Sequence, residues 1–365
     1  MIDLLPLAER VWPVLLFLVL VQLVADLSDD AGLFDLAAHV AATLAGGRTV
    51  VLFGLFCALA TVTTWLLSID TTAVLLAPIG LTLARELRIP PLPFAFAAVW
   101  LASTASLLLP ISNLTNLLAI ERLSLHPHEF VQATWAPQLA VLAVVVAGLL
   151  ARHRADLRGR YEVPGMLPAG DRVLAGVAGA VVVLLAPAVV LGVEPWLAAG
   201  VGVLVLVACF AVRRPALVAP HRLLGLVPWS VLALATVLFA VLGSLGPRLE
   251  PWLGDVLGRG DSAGDLATLA GAGVLLANGA NNLPAYLLLE PVALAGAGGV
   301  DRLLTTLVAV NVGPLLLTWG ALANLLWLRA CRRRGVVVTA RRFAREGLLV
   351  VPLAVAAGVA AVLWW

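Results

Sequence analysis

Four hydrogen-bonding side chains fall within the five residues Ser112–Asn116, in a part of the chain that carries no charge. The uncharged interval runs from Arg88 to Glu121 and is long enough to cross a bilayer once. Pro110 precedes the polar cluster and removes one backbone donor from any helix there. Because unpaired polar groups are costly in hydrocarbon, such a segment is tolerated mainly where protein or water satisfies it. The pattern therefore favours a chain that lines a binding cavity inside the membrane.

A single acid stands in the next candidate segment. Asp70 is the only charged side chain between Arg48 and Arg85, and an acid at membrane depth is a candidate functional group. A medium of low dielectric favours the neutral form of a carboxylic acid, so Asp70 could take up and release protons. Two alternatives stay open, an ionised Asp70 that binds a cation and a neutral Asp70 that caps a broken helix. We predict Asp70 as the proton-coupling residue.

The segment that contains the polar cluster resembles a second segment later in the chain. A twelve-residue segment around Asn116 aligns without a gap on one around Asn324, with seven identical positions. Asp70 lies 46 residues before Asn116, and Asn278 lies 46 residues before Asn324. Two repeats with interrupted hydrophobic segments in corresponding positions are typical of secondary transporters, whose sites lie near the membrane midplane.

The predicted substrate-binding residues come from both copies of this segment and from the polar stretch upstream of the second. Amides and hydroxyls offer both donors and acceptors to a small polar solute. The predicted set is Ser112, Asn113, Thr115, Asn116, Asn281, Asn282 and Asn324. Structural bonding between helices is the alternative for each, and for Asn278 and Asn311 neither interpretation is preferred. Gly and Ala replace three polar residues in the second copy, so the first repeat is expected to hold most ligand contacts.

Composition sets the class of protein, with 62% hydrophobic residues, 12% charged residues and a mean hydropathy of +1.05. Uncharged apolar runs recur roughly at 11–25, 49–69, 89–120, 131–151, 173–193, 195–212, 223–247, 266–289, 303–328 and 347–365. We predict an all-α integral membrane protein with about ten transmembrane helices. Its two inverted repeats would each contain a re-entrant hairpin or a broken helix.

Charge distribution predicts the orientation and the domains. Basic residues concentrate in the connections Arg152–Arg172, Arg213–Arg222 and Arg329–Arg345, which the positive-inside rule places in the cytoplasm. The acidic segments Asp26–Asp30 and Glu250–Asp265 are then expected outside. The predicted domains are a first repeat at 1–151, a cytoplasmic linker at 152–172 and a second repeat at 173–365.

Other features argue against soluble, enzymatic or redox functions. The three cysteines have no paired spacing, so we predict no disulfide framework, no metal site and no cofactor. The first apolar run lacks the flanks of a signal peptide and is expected to be retained. No P-loop is present, so transport would need an ion gradient or a separate subunit. Glu290 is either a second relay group or a residue at the interface.

Several segments together resemble the arsenite efflux permease (ArsB) family of the ion transporter superfamily. The segments that carry the resemblance are 29–34 with 37–40, 70–78, 103–106 with 111–116, 281–284, 313–314 and 320–327. The resemblance implies proton-driven extrusion of trivalent arsenic or antimony hydroxides, alone or with an arsenical pump ATPase subunit. It also implies inverted repeats, two hairpins and an elevator-like movement.

The chain departs from the family pattern at five places. Ile69-Asp70-Thr71 stands where Asn-Asp-Gly is usual, and the other departures are Ser103 and Asn311 for Asp, Leu315 for Lys and Ala321 for Ser. These changes remove several polar groups from the second repeat.

We predict a proton-coupled exporter of arsenite and antimonite in a bacterial plasma (inner) membrane. The alternatives are a sodium/proton antiporter, a sodium-coupled anion carrier, a channel and an intramembrane enzyme. The expected partners are the inorganic solute, protons and membrane lipid. An ATPase subunit and a homodimer are further possibilities, and no nucleic-acid partner is expected.

Overall fold

The computed structural model describes residues 4–165 and 170–364, and this part of the chain is helical and contains no β-strand. The helices of the first half are α1 (Leu4–Asp30), α2 (Leu33–Leu44), α3 (Thr49–Leu66), α4 (Ile69–Thr71), α5 (Ala77–Glu86), α6 (Leu92–Thr104), α7 (Leu114–Leu123) and α8 (Pro127–Arg152). Those of the second half are α9 (Arg172–Val190), α10 (Pro195–Arg213), α11 (Pro220–Leu226), α12 (Trp229–Leu257), α13 (Ala263–Ala280), α14 (Asn282–Leu294), α15 (Gly299–Val312), α16 (Leu322–Arg333) and α17 (Ala340–Trp364). The all-α fold predicted from the sequence is confirmed.

Some apolar runs form one helix long enough to span a membrane, and others are broken. Seven described helices are long and apolar enough, and α11 with Trp229–Phe239 makes an eighth if that bent pair is one span. The predicted count of about ten included the apolar runs 89–120 and 266–289, which do not each form one helix. Polar breaks divide the first between α6 and α7 and the second between α13 and α14. The broken helices themselves were predicted.

The three Arg-rich connections lie on one side of the bundle. Arg152 Nε lies 2.7 Å from Glu346 Oε2, which joins the end of α8 to the start of α17. Arg213 Nε lies 2.6 Å from Asp171 Oδ2, which joins the end of α10 to the start of α9. The positive-inside rule predicts that this common side faces the cytoplasm.

The acidic segment Asp26–Asp30 lies on this same side, so the expectation that it lies on the opposite side from the Arg-rich connections is wrong. Asp30 accepts hydrogen bonds from Arg222 Nη2 at 2.7 and 2.9 Å. At the other end of α1, the rings of Trp12 and Trp196 lie 5.8 Å apart, so α1 runs parallel to α10. Acidic residues orient a chain only weakly, and here the Arg222 guanidinium pairs with one of them.

The first repeat contains a hairpin, α3 to α5, that opens toward the Arg-rich side. At its start, the backbone of Arg48 forms an isolated antiparallel β-bridge with the backbone of Arg160, which lies beyond the end of α8. Its end is held where Arg334 donates a hydrogen bond to Thr82 Oγ1. Ser68 caps α4 at the tip, which satisfies a backbone N–H that the break would leave unpaired.

The second repeat contains the corresponding hairpin, α13 to α14, which opens toward the opposite side. Its ends meet where the Ala297 N–H donates to Arg259 O and Arg302 Nη2 donates to Gly258 O, both at 2.8 Å. Its tip is Asn281. Hairpins that open to opposite sides are the geometry expected of inverted repeats.

Arg302 supplies a stability prediction. It is fully buried, and its guanidinium donates to the carbonyls of Gly258 and Gly260. Arg302→Met removes both bonds at a cost of about 2–3 kcal/mol, so the thermal unfolding midpoint in detergent should fall by several degrees. Arg259→Met is the control, because that side chain is half exposed and makes only a weak ion pair with Glu250. Equal midpoints for the two variants would contradict this assignment.

Candidate functional site

All four interrupted helices begin at one cavity of about 250 Å³ between the two repeats, the central cavity. The residues at the N-termini of α4, α7, α14 and α16 line it: Ser68, Asn113, Asn281 and Ala321. Helix N-termini carry partial positive charge and N–H groups without intrahelical acceptors. Four of them at one cavity favour the oxygen atoms of a bound solute.

Side chains of the first repeat at this cavity are partly used within the protein. Asn113 Oδ1 accepts from the Thr115 N–H at 3.3 Å, and Asn113 Nδ2 donates to Asn311 Oδ1 of the second repeat. Ser112 Oγ donates to Trp65 O at 3.2 Å. These bonds hold the loop before α7 in place and leave fewer free donors than the sequence suggests.

The second repeat presents helix starts without side-chain caps. Neither Asn281 before α14 nor Ala321 before α16 makes a capping hydrogen bond. Asn281 and Asn282 both line the central cavity with half-buried side chains. The first N–H groups of α14 and α16 are therefore available to a solute.

Asp70 lines the central cavity from the first turn of α4 and is the only ionisable side chain among the described residues of its lining. The helix cap here is Ser68, so the alternative that Asp70 itself caps the break does not apply. Within the described part of the chain, the Asp70 carboxylate makes no hydrogen bond or ion pair. It is free to meet a solute or a proton.

Asn116 and Asn324 occupy equivalent positions in the two repeats but lie outside the lining of the central cavity. Each is fully buried, and each Nδ2 donates to the carbonyls ten and seven residues earlier. The distances are 2.6 and 2.9 Å to Ser106 O and Leu109 O, and 2.9 and 3.1 Å to Pro314 O and Leu317 O. Thr115 is likewise buried and outside the lining. Direct substrate contact by these three residues stays a prediction.

Asn278 is not the structural counterpart of Asp70, although both lie 46 residues before an equivalent Asn. Asn278 stands in the last turn of α13, before the break, whereas Asp70 follows the break in its repeat. Its Nδ2 donates to Gly313 O at 2.7 Å, and its Oδ1 accepts from the Leu317 N–H at 3.0 Å. A Cβ on Gly320 would lie 2.8 Å from the Pro314 backbone and 3.0 Å from this oxygen, so a serine does not fit at this position of the second copy.

Glu290 joins the repeats rather than lining the central cavity. Its buried carboxylate lies 3.2 Å from Arg122 Nε, at the end of α7. The ion pair links α14 to α7 on the side away from the Arg-rich connections.

The outer wall of the central cavity was missed by sequence reasoning. It is apolar and comes from two long helices, with Phe17, Leu18 and Val21 on α1 and Leu234 and Ala235 among the residues on α12. Nothing in their sequence distinguishes these positions from lipid-facing ones, since both are aliphatic or aromatic at helical spacing.

Asn281 supplies a second prediction, because its φ of 87° lies in a region that costs a non-glycine residue about 1–3 kcal/mol. Asn281→Gly should raise the thermal unfolding midpoint and lower the transport rate, since the hairpin tip becomes less rigid. Asn281→Ala is the control, because it removes the amide but keeps the strained Cβ. A higher midpoint for Ala than for Gly would contradict the strain.

Comparison with known proteins gives the family. The model of the citrate transporter family (CitMHS) matches residues 3–319. An arsenical pump membrane protein of Yersinia enterocolitica is 27% identical over 93% of this chain and 83% of its own length. One from Escherichia coli is 26% identical over the same shares. An uncharacterized transporter of Mycobacterium tuberculosis is 25% identical over 97% of this chain and 86% of its own length.

The family model spans both hairpins and most of the residues that line the central cavity, and Ala321, Leu322, Ala323 and Leu325 lie beyond its end. The resemblance to arsenite efflux permeases that the motifs indicated is confirmed, at the level of a divergent relative. The chain belongs to the citrate transporter (CitMHS) family and is a multi-pass membrane transporter.

Proposed function

We propose that this protein is a proton-coupled exporter of arsenite and antimonite in a bacterial plasma membrane. The observation that carries the proposal is the convergence of four helix N-termini and one unpaired carboxyl group on a cavity of about 250 Å³. That volume lies below the roughly 300–1,000 Å³ of pockets that hold drug-sized ligands, which favours a small solute. An uncharged trihydroxide has few atoms and three hydroxyl groups that can both donate and accept.

The chemistry of binding follows from these groups. The first N–H groups of α14 and α16 would donate to hydroxyl oxygens of the solute. The amides of Asn281 and Asn282 can donate or accept, and the Asp70 carboxylate can accept a hydroxyl proton. Protonation of Asp70 removes its negative charge and turns one acceptor oxygen into a donor, so proton uptake would weaken binding and couple the two fluxes.

A second candidate is a sodium-coupled carrier of organic anions, favoured by the description of the family as citrate transporters. The helix N-termini would suit carboxylate oxygens. However, no Arg or His lines the central cavity in the described part of the chain, and Asp70 would repel a polyanion. This charge balance favours the uncharged solute. Catalysis is disfavoured as well, because the described residues of the lining include no second ionisable group for acid–base chemistry.

Uptake into everted membrane vesicles tests the proposal. Vesicles from an arsenite-sensitive host that expresses the protein should accumulate arsenite when their interior is made acidic. An uncoupler should abolish this accumulation, and sodium should not replace protons. Vesicles from the same host without the protein are the control. Sodium-dependent citrate uptake without arsenite uptake would instead support the second candidate.

The assembly remains part of the proposal. Residues 1–151 and 173–365 would form the two repeats, joined by a cytoplasmic linker at 152–172. An arsenical pump ATPase subunit could dock on the Arg-rich side, and two copies of the chain could form a homodimer.

A further inference from the structure

A second cavity of about 450 Å³ lies near the central cavity. Its walls come from the first half of α1, the end of α7 and the turn between α9 and α10. That turn lies at the ends of α9 and α10 opposite the Arg213–Asp171 ion pair, so it is on the side away from the Arg-rich connections. Two of its exposed residues, Val193 and Glu194, line the cavity. We call this space the outer cavity.

Phe17 is the only residue in the described part of the chain that lines both cavities. It is 3% exposed. On the same helix, Pro13 and Val14 line the outer cavity, whereas Leu18 and Val21 line the central one. The boundary between the two spaces on α1 is therefore one aromatic side chain.

On the wall that faces α1, residues that line the outer cavity and residues that line the central cavity also lie close together. In the loop before α7, Pro110 lines the outer cavity and its neighbour Ile111 lines the central one. On α7, Leu114 lines the central cavity and Leu117 the outer one, about 5 Å further along the helix. Both cavities thus lie along the same stretches of α1 and α7, separated by a single layer of side chains.

We propose that the outer cavity is the external mouth of the transport path and that Phe17 is the barrier between it and the central cavity. A polar solute cannot cross a closed layer of Phe, Pro and Leu side chains without leaving its hydrogen-bond partners, which is costly. The ring of Phe17 is the largest of these side chains and the only one common to both spaces. Release to the outside would require this ring to move. The proposal rests on the transport function, but its test does not require the transported solute.

Cysteine accessibility tests the barrier. All variants are made in a parent protein that carries Cys209→Ala and retains the buried Cys57 and Cys331. Ala235→Cys places a reporter thiol in the central cavity, at a position 2% exposed. A membrane-impermeant methanethiosulfonate reagent is then added outside intact cells. Adding Phe17→Ala should speed reporter labelling by about tenfold or more, because the accessible state becomes the main one.

Leu18→Ala is the matched control, since it enlarges the central cavity without reaching the outer one. Its labelling rate should stay near that of the parent protein with the reporter thiol. Equal acceleration by both variants would overturn the proposal, and so would an unchanged rate in a monodisperse Phe17→Ala protein. If Phe17→Ala does not fold, Phe17→Leu should give an intermediate rate, and no acceleration there would also overturn it. Failure of arsenite transport would affect none of these labelling results.

Discussion

Replacing Asp70 by asparagine is expected to abolish proton-driven accumulation of arsenite in everted vesicles while leaving the protein folded. The asparagine amide has nearly the same shape as the carboxyl group but cannot carry a proton at any pH near neutrality. Asp70 is the only ionisable group among the described residues that line the central cavity, so none of the other lining residues in this part of the chain can substitute for it. We expect gradient-driven uptake to fall by about tenfold or more, to the level of vesicles without the protein.

Solute exchange separates loss of coupling from loss of binding. Vesicles preloaded with unlabelled arsenite should still exchange it for labelled arsenite in Asp70→Asn, because the helix N-termini and the remaining amides are unchanged. Asp70→Glu should retain part of the gradient-driven uptake, since it keeps the carboxyl group at a shifted position. Asp35→Asn, at an exposed position on α2, is the control for a lost acid elsewhere. Unaltered gradient-driven uptake in Asp70→Asn would remove Asp70 from the coupling mechanism.

The polar groups inside the membrane were the part of the site that the sequence predicted best. An uncharged apolar interval makes every amide and hydroxyl conspicuous, and Asp70, Ser112, Asn113, Asn281 and Asn282 all line one cavity. The breaks were predictable for the same reason, since a polar cluster with proline cannot continue a lipid-facing helix.

The sequence did not predict which residues of the two repeats are equivalent or which of them contact each other. The equal spacing of Asp70 and Asn278 to their downstream amides suggested equivalence, yet the breaks fall on different sides of these residues. Side-chain hydrogen bonds such as the one from Asn113 to Asn311 depend on how the two repeats pack together, and this packing cannot be read from the local sequence. The exact number of spanning helices is not predictable from hydropathy for a related reason, because hydropathy does not distinguish a crossing from a hairpin that turns back.

The predicted side of the segment Asp26–Asp30 was wrong for an electrostatic reason. Basic residues near a span orient it and acidic residues contribute little, so an acidic segment can lie beside a basic one if they pair. The Asp30 to Arg222 bond is such a pairing. The apolar wall on α1 and α12 was unpredictable because packing against a transport site and packing against lipid select the same side chains.

Replacing either Asn116 or Asn324 by aspartate is expected to abolish transport and to lower the thermal unfolding midpoint by about 5 °C or more. Each amide donates through Nδ2 to its own two backbone carbonyls, and no other described side chain donates a hydrogen bond to these carbonyls. An aspartate carboxylate would face these carbonyls with an acceptor, so two hydrogen bonds are replaced by repulsion in a buried place. The loops before α7 and α16, which present the helix starts to the central cavity, would lose their fixed geometry.

Asn311→Asp is the matched control, because it makes the same chemical change at a position 1% exposed. There the Asn311 Nδ2 has no acceptor, and the Oδ1 that accepts from Asn113 is kept by aspartate. Its midpoint should fall by less than half as much, and gradient-driven uptake should remain measurable. The effects of the changes at Asn116 and Asn324 should add in the double variant, since the two amides share no hydrogen-bond partner. A tolerated change at one of these positions and not at the other would show that the two repeats use their matching bonds unequally.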